Sequence, residues 1–174
     1  MIELLILFVL ADREYTMYSV QKRIKEVFAS FTSPSFGALN PALKKLENNG
    51  FIKCRQAMSE GGKLSCYYSI TSEGITYLKK LLLKPLSKNP LQFLSNASIK
   101  LSMAEILEVN EKKEFFLEIK TLAMKFKSVS EKILADEHSN LNFYQKIVLD
   151  NTVCEYNNLI NIIEGFEKDN ARNS

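Results

Sequence analysis

This sequence predicts a mainly α chain with one small two-stranded β hairpin, and three observations predict it. Apolar residues recur at helical spacing through most of the 174 residues. Two short β-like runs, "FIKCR" and "SCYYSIT", flank "MSEGGK", whose Gly61-Gly62 can supply the positive φ angles of a tight turn. The character of the chain also changes near its middle. Met1–Pro90 carries thirteen Lys/Arg against seven Asp/Glu, a net +6, whereas Leu91–Ser174 carries ten against thirteen, a net −3.

Ile2–Leu10 is apolar on nearly every side and reads as a short helix buried all round. It is too short to span a bilayer, and Glu3 interrupts it. It has no basic n-region and no small-residue cleavage site, so it is not read as a signal peptide. Thr16 can cap a second helix running to about Phe28, with Tyr18, Val20, Ile24, Val27 and Phe28 mostly inward. "FTSPS" breaks the chain. A third helix carries Phe36, Leu39, Leu43 and Leu46 on one stripe, and Gly50 sits where a helix C-terminal glycine belongs. The hairpin follows, and Thr71 or Ser72 then caps a helix to about Leu82. Helix, helix, helix, hairpin, helix is the order of a winged helix-turn-helix. In that fold the third helix enters the DNA major groove and the hairpin is the wing.

The third helix has a second face. At about 100° per residue, Gly37, Pro41, Lys44 and Asn48 fall opposite the leucines, with Asn40 and Lys45 at the edges. Little bulk at the start and positive charge further on suit a phosphate or base edge approaching the backbone. Two starts remain open. Pro41 can begin the regular helix with Asn40 as its cap, or the helix starts near Ser35 and Pro41 distorts its first turn. Asn40 is read as a cap in preference to an amide that reads adenine.

The segments "SFGALNPALKKLENNGFIK" and "EGGKLSCYYSITSEG" resemble the DNA-binding domain of PadR-like transcriptional regulators. That family typically reads S-x-G-T-L-Y-P-A-L-x-x-L-E-x-x-G-L-I, then E-G-G-R-x-x-K-Y-Y-x-L-T-x-x-G. The resemblance covers Ile2 to about Leu83. It implies that the start of the third helix and the wing tip contact duplex DNA, which points to Ser35, Gly37, Ala38, Asn40, Lys44 and Lys63, with Lys45 added from the charge of the same face. Four departures stand out. Asn40 replaces a tyrosine that contacts the DNA backbone, and Ala38 replaces a threonine. Ser65 and Cys66 stand where the wing carries a second cation, and "YTMYSV" replaces an H-G-Y-E pattern. The resemblance also implies C-terminal helices that dimerise, often with the first helix, and a small aromatic effector in some members.

Residues 84–101 read as a linker with a short helix near Leu86–Leu94. The winged domain is thus expected over residues 1–83 and a C-terminal helical dimerisation domain over residues 102–174. "LSMAE" carries a capping box, Ser102 with Glu105, which predicts a helix start near Met103. Phe115, Ile119, Leu122, Phe126, Val129 and Ile133 then repeat as 4-3-4-3-4. Leu149, Val153, Tyr156, Ile160 and Ile163 repeat as 4-3-4-3. These are coiled-coil seams, and Phe115, Ile119, Leu122, Phe126, Val153, Tyr156, Ile160 and Ile163 are the candidate dimer contacts. A homodimer of this kind calls for a palindromic operator. Phe93, Phe115, Phe116 and Phe126 are read as core in preference to an effector pocket.

Composition bounds the rest. With 46% hydrophobic and 25% charged residues the chain reads as soluble and globular. Three cysteines, Cys54, Cys66 and Cys154, form no C-x-x-C pair and read as reduced thiols of a cytoplasmic protein. Cys54 and Cys66 face across the hairpin and are read as buried thiols in preference to a redox switch. The single histidine, His138, has no second histidine or cysteine near it, and no nucleophile elbow, P-loop or dinucleotide fingerprint occurs. No metal, cofactor, catalytic residue or membrane partner is expected. The expected function is a dimeric DNA-binding transcriptional regulator acting as a repressor. The alternative is a winged-helix protein-interaction module with weak or no specific DNA binding.

Overall fold

The computed structural model describes residues 1–58, 62 and 64–172. Gly61 and Lys63, expected in the wing turn, lie outside the described residues. In chain order the elements are α1 (Ile2–Leu10), β1 (Tyr15–Thr16), α2 (Met17–Phe28), α3 (Phe36–Asn48), β2 (Ile52–Met58), β3 (Leu64–Ile70), α4 (Ser72–Leu82), α5 (Pro90–Leu101), a 3-10 turn (Ala104–Ile106), α6 (Val109–Ala135) and α7 (Phe143–Arg172). They form two compact units. One comprises Met1–Lys84 and Ser98–Ile106, the other Pro85–Ala97 and Leu107–Ser174.

In the first unit α1 packs on α2, α3 and α4, which is why it is apolar all round. Leu5, Ile6 and Leu7 are fully buried with Val20, Ile24 and Phe28 of α2, Leu39, Leu43 and Leu46 of α3, and Leu82 of α4. Each such side chain stabilises the fold by about 1.5–3 kcal/mol over an exposed one. The caps are specific. Thr16 accepts the Ser19 N–H at 3.2 Å to start α2, and Thr71 accepts the Gly74 N–H at 3.1 Å to start α4. At the end of α3, Gly50 takes φ +73°. Its N–H donates to the Glu47 carbonyl and that of Phe51 to the Leu46 carbonyl, both at 2.9 Å. This is a Schellman motif, which only a residue content with positive φ completes.

β2 and β3 pair antiparallel from Ile52↔Ile70 to Met58↔Leu64. The expected two-stranded wing is in fact the outer part of a three-stranded sheet, because β1 joins β3 at Tyr15↔Tyr68 and Thr16↔Tyr67. A two-residue strand has no period to read. Tyr18, Val27 and Phe36, expected inward, are exposed. Tyr18 and Phe36 stack on one another with centroids 6.2 Å apart, so each covers the other at the surface.

Two boundaries differ from expectation. The helix read near Leu86–Leu94 is α5, because Pro90 suits a first turn and the Asn89 carboxamide accepts the Leu91 N–H at 3.0 Å. Ser102 does not cap a helix at Met103. Its hydroxyl donates to the Ile99 carbonyl at 2.7 Å, closing the end of α5 instead. The capping box is supplied six residues later by Glu108 and Glu111, where α6 starts.

In the second unit α6 and α7 form an antiparallel hairpin. Phe116 meets Phe166 at 5.7 Å, Phe126 meets Tyr156 at 5.9 Å, and Lys120 bridges Glu164 and Glu167 at 3.0 and 3.3 Å. Phe93 lies against Phe126 at 5.1 Å and Tyr156 at 6.3 Å. The seam residues named as dimer contacts therefore serve the hairpin itself. Phe115, Ile119, Tyr156 and Ile163 are buried within one chain, and Leu122, Phe126, Val153 and Ile160 are half-buried. The buried stripe of α6 runs through Ala123 and Ser130, leaving Val129 and Ile133 exposed. A straight helix drifts about 20° per heptad from a 3.5-residue seam, which accounts for the slip. Leu117, Met124, Phe143, Tyr144, Ile147 and Val148 are exposed as well.

Candidate nucleic-acid interface

The α2–α3 turn is fixed from inside. Gln21 is buried, and its amide donates to the Pro34 carbonyl at 3.0 Å. Ser35 then takes an extended conformation, and its hydroxyl accepts the Ala38 N–H at 3.3 Å. Of the two starts left open, the helix thus takes the one capped by Ser35, and Asn40 is not a cap. Pro41 lies inside α3 and has no N–H to give to the Gly37 carbonyl.

With Leu39, Leu43 and Leu46 buried, the opposite side of α3 faces outward. Ser35, Gly37, Asn40, Pro41, Lys44, Lys45 and Asn48 are exposed, and Ala38 is half-buried. The two lysines differ. Lys44 has no acidic partner among the described residues. Lys45 is 2.6 Å from the Glu3 carboxylate of α1, and the Tyr77 hydroxyl of α4 donates to the other oxygen of Glu3 at 3.0 Å. Phe51 stacks on Tyr77 at 4.1 Å and holds that ring in place. Partial burial pushes the Glu3 carboxyl up, but the hydrogen bonds from Lys45 and Tyr77 and the Lys45 charge outweigh it and hold it below the usual range. Lys45 is raised in return, first by its hydrogen bond to Glu3.

Beside the start of α3 lies an open cleft of about 520 Å³, lined by Tyr18, Gln21, Lys22, Lys25, Glu26 and Phe36. Lys22 sits 4.0 Å from Glu26, while Lys25 has no acidic partner among the described residues. Sequence reasoning missed these α2 cations. The signal was present as Lys22 and Lys25 three residues apart, on the side of α2 away from Val20 and Ile24.

On the wing, Gly62 has φ +71°, as a tight turn requires. Arg55 is salt-bridged to Glu14 and lies over the Tyr67 ring at 5.5 Å. Cys54 and Cys66 are half-buried and face each other across the hairpin with Cα atoms 5.7 Å apart, close enough to be bridged, while Cys154 is free and exposed. Among the described residues no group of three His, Cys, Asp or Glu is placed to hold a metal ion, and no helix is long and apolar enough to cross a membrane.

The model of the transcriptional regulator PadR-like family matches residues 6–80. The match covers the winged helix-turn-helix and ends there, short of half the chain. The chain's similarity to solved structures is uneven. It is 32% identical to a transcriptional regulator from Clostridium thermocellum, over 45% of this chain and 76% of that one, with a TM-score of 0.42. It is 28% identical to a PadR family transcription regulator from Clostridium difficile, over 46% of this chain and 81% of that one, with a TM-score of 0.40. It is 20% identical to Bacillus subtilis PadR, solved in complex with operator DNA, over 94% of each chain, with a TM-score of 0.47. No curated protein matches the chain.

Proposed function

We propose that this PadR-like regulator binds a palindromic duplex operator as a homodimer and represses transcription. The observation that carries the reading is the outward face of α3, where Gly37, Asn40 and Lys44 are exposed behind a buried leucine stripe. Ser35, Gly37, Ala38 and Asn40 would meet base edges and the nearest phosphates, with Lys44, Lys22 and Lys25 along the backbone. Lys63 would supply the wing contact. Lys45 joins only by exchanging Glu3 for a phosphate.

Residues 1–83 would act as the reader and residues 102–174 as the dimer core. The apolar residues left exposed on α6 and α7, such as Val129, Ile133, Tyr144, Ile147 and Val148, would suit burial against a second copy. A two-fold pair would set two copies of α3 about 34 Å apart, one DNA turn. A small aromatic effector, if one acts, has to part the Phe93–Phe126 contact or use another site.

The test is gel retardation on the DNA upstream of the protein's own gene, with Lys44→Ala and Lys63→Ala as controls. Specific retardation weakened by both changes is the expected result. With about six to eight phosphates neutralised per dimer, the logarithm of affinity should fall against the logarithm of salt with a slope of roughly −5 to −7. A second reading is favoured by the pairing of Lys45 with Glu3 and Arg55 with Glu14, which removes two cations from the basic surface. Under it the winged helix is a protein-interaction module, and no fragment is retained even at low salt.

A further inference from the structure

The wing is not uniform along its length. β1 covers only Tyr67 and Tyr68 of β3, so the pairs Gln56↔Cys66, Ala57↔Ser65 and Met58↔Leu64 form a bare two-stranded ribbon beyond the sheet. Met58 and Leu64, which close it, are 64% and 60% exposed and lend it no core. Two strands without a packed face are barely stable in water. At the base of this ribbon stands the pair Cys54 and Cys66. Cys54 lies opposite Tyr68, inside the three-stranded part, and Cys66 lies opposite Gln56, in the first pair outside it. They are diagonal neighbours on one face, with Cα atoms 5.7 Å apart, inside the span a disulfide bridges without backbone movement. Both are half-buried, so small reagents reach them.

We infer that Cys54 and Cys66 form a thiol–disulfide switch that stiffens the wing when oxidised and so tightens DNA binding. In oxidation by a peroxide, one thiolate attacks the peroxide oxygen and becomes a sulfenic acid as the first water leaves. The second thiolate attacks that sulfur, the S–S bond forms, and the sulfenic oxygen leaves as the second water. The two cysteines together give up two electrons and two protons, and the peroxide takes up both. A dithiol reverses the reaction by exchange. The cross-link ties the bare ribbon to the covered sheet, so the oxidised wing has less freedom left to lose when it meets DNA. The inference rests on the DNA-binding reading above.

The experiment uses the full chain carrying Cys154→Ser, which removes the third thiol. Affinity for the upstream duplex is measured after hydrogen peroxide and after dithiothreitol, with free thiols counted in each sample. The oxidised form should bind about three- to tenfold tighter than the reduced form. The further Cys54→Ser and Cys66→Ser double change should bind like the reduced form after either treatment. Equal affinity in two samples whose thiol counts differ overturns the switch, as does peroxide treatment that leaves both thiols free. Hydrogen exchange at Gln56, Ala57 and Leu64 provides a readout that needs no DNA and should slow on oxidation. If no fragment is retained in either state, the DNA reading has failed, and unchanged exchange would then sink the stiffening as well.

Discussion

Gly74 sits in the first turn of α4, and a methyl group there would lie 2.0 Å from the Phe51 carbonyl oxygen and 2.7 Å from Ile70. The first neighbour is backbone that also accepts the Thr71 N–H, so it cannot swing aside. Gly74→Ala should therefore cost about 3 kcal/mol or more, read as a large drop in melting temperature. Thr71 donates to the Gly50 carbonyl at 2.7 Å, so the same small region ties the end of α3 to the start of α4. The Glu3 carboxylate makes a pH-dependent contribution. Its folded pKa is lowered, so the stability it adds is present above the ordinary carboxylate range and lost as pH falls through that range to the folded value. Glu3→Gln should flatten this part of an acid denaturation curve. At this scale the sequence spoke through chemistry with a fixed geometry. Gly50, Thr16 and Thr71 were legible because caps and positive φ need those residue types. The Lys45–Glu3 pair was not, because 42 residues separate its members and only packing joins them.

At the scale of elements, α3 keeps a proline in its body. A proline there costs about 3 kcal/mol relative to alanine, of which roughly 0.4–1 kcal/mol is returned by stiffening the unfolded chain. Pro41→Ala should thus raise stability by about 2 kcal/mol, measured by urea denaturation. If the variant also loses DNA affinity, the proline shapes the face that meets the groove. The helices and the hairpin were legible because their periods of 3.6 and 2 persist over many residues. β1 was not, being two residues long. The start of α6 was misplaced because Ser102/Glu105 carries the sequence signature of a box whereas Glu108 is not a usual cap, and the hydroxyl of Ser102 had a nearer acceptor in α5.

For the whole molecule the family match stops at residue 80, and the acidic half rests on its own packing. The seams of α6 and α7 were legible as seams, but a repeat does not say whether its partner is in the same chain. The structure gives the inner stripe to the hairpin and leaves Tyr144 and Val148 exposed. Val148→Glu should leave the hairpin folded, because that side chain is already 64% exposed, and should shift the protein toward monomer in sedimentation at micromolar concentration. A wild-type protein already monomeric there would refute the dimer.

Under the proposed reading, one carboxylate bears on how firmly this chain would hold a polyanion. Glu3 occupies the place on Lys45 that a backbone phosphate would claim, and it is held there by a second helix and a tyrosine. Under the DNA-binding reading proposed above, a duplex without base contacts would have to displace it to use Lys45, whereas an operator held by base contacts would not. Removing it with Glu3→Gln should raise affinity for unrelated DNA more than for the operator, narrowing the gap between right and wrong sites. Competition with bulk genomic DNA would expose that loss of discrimination.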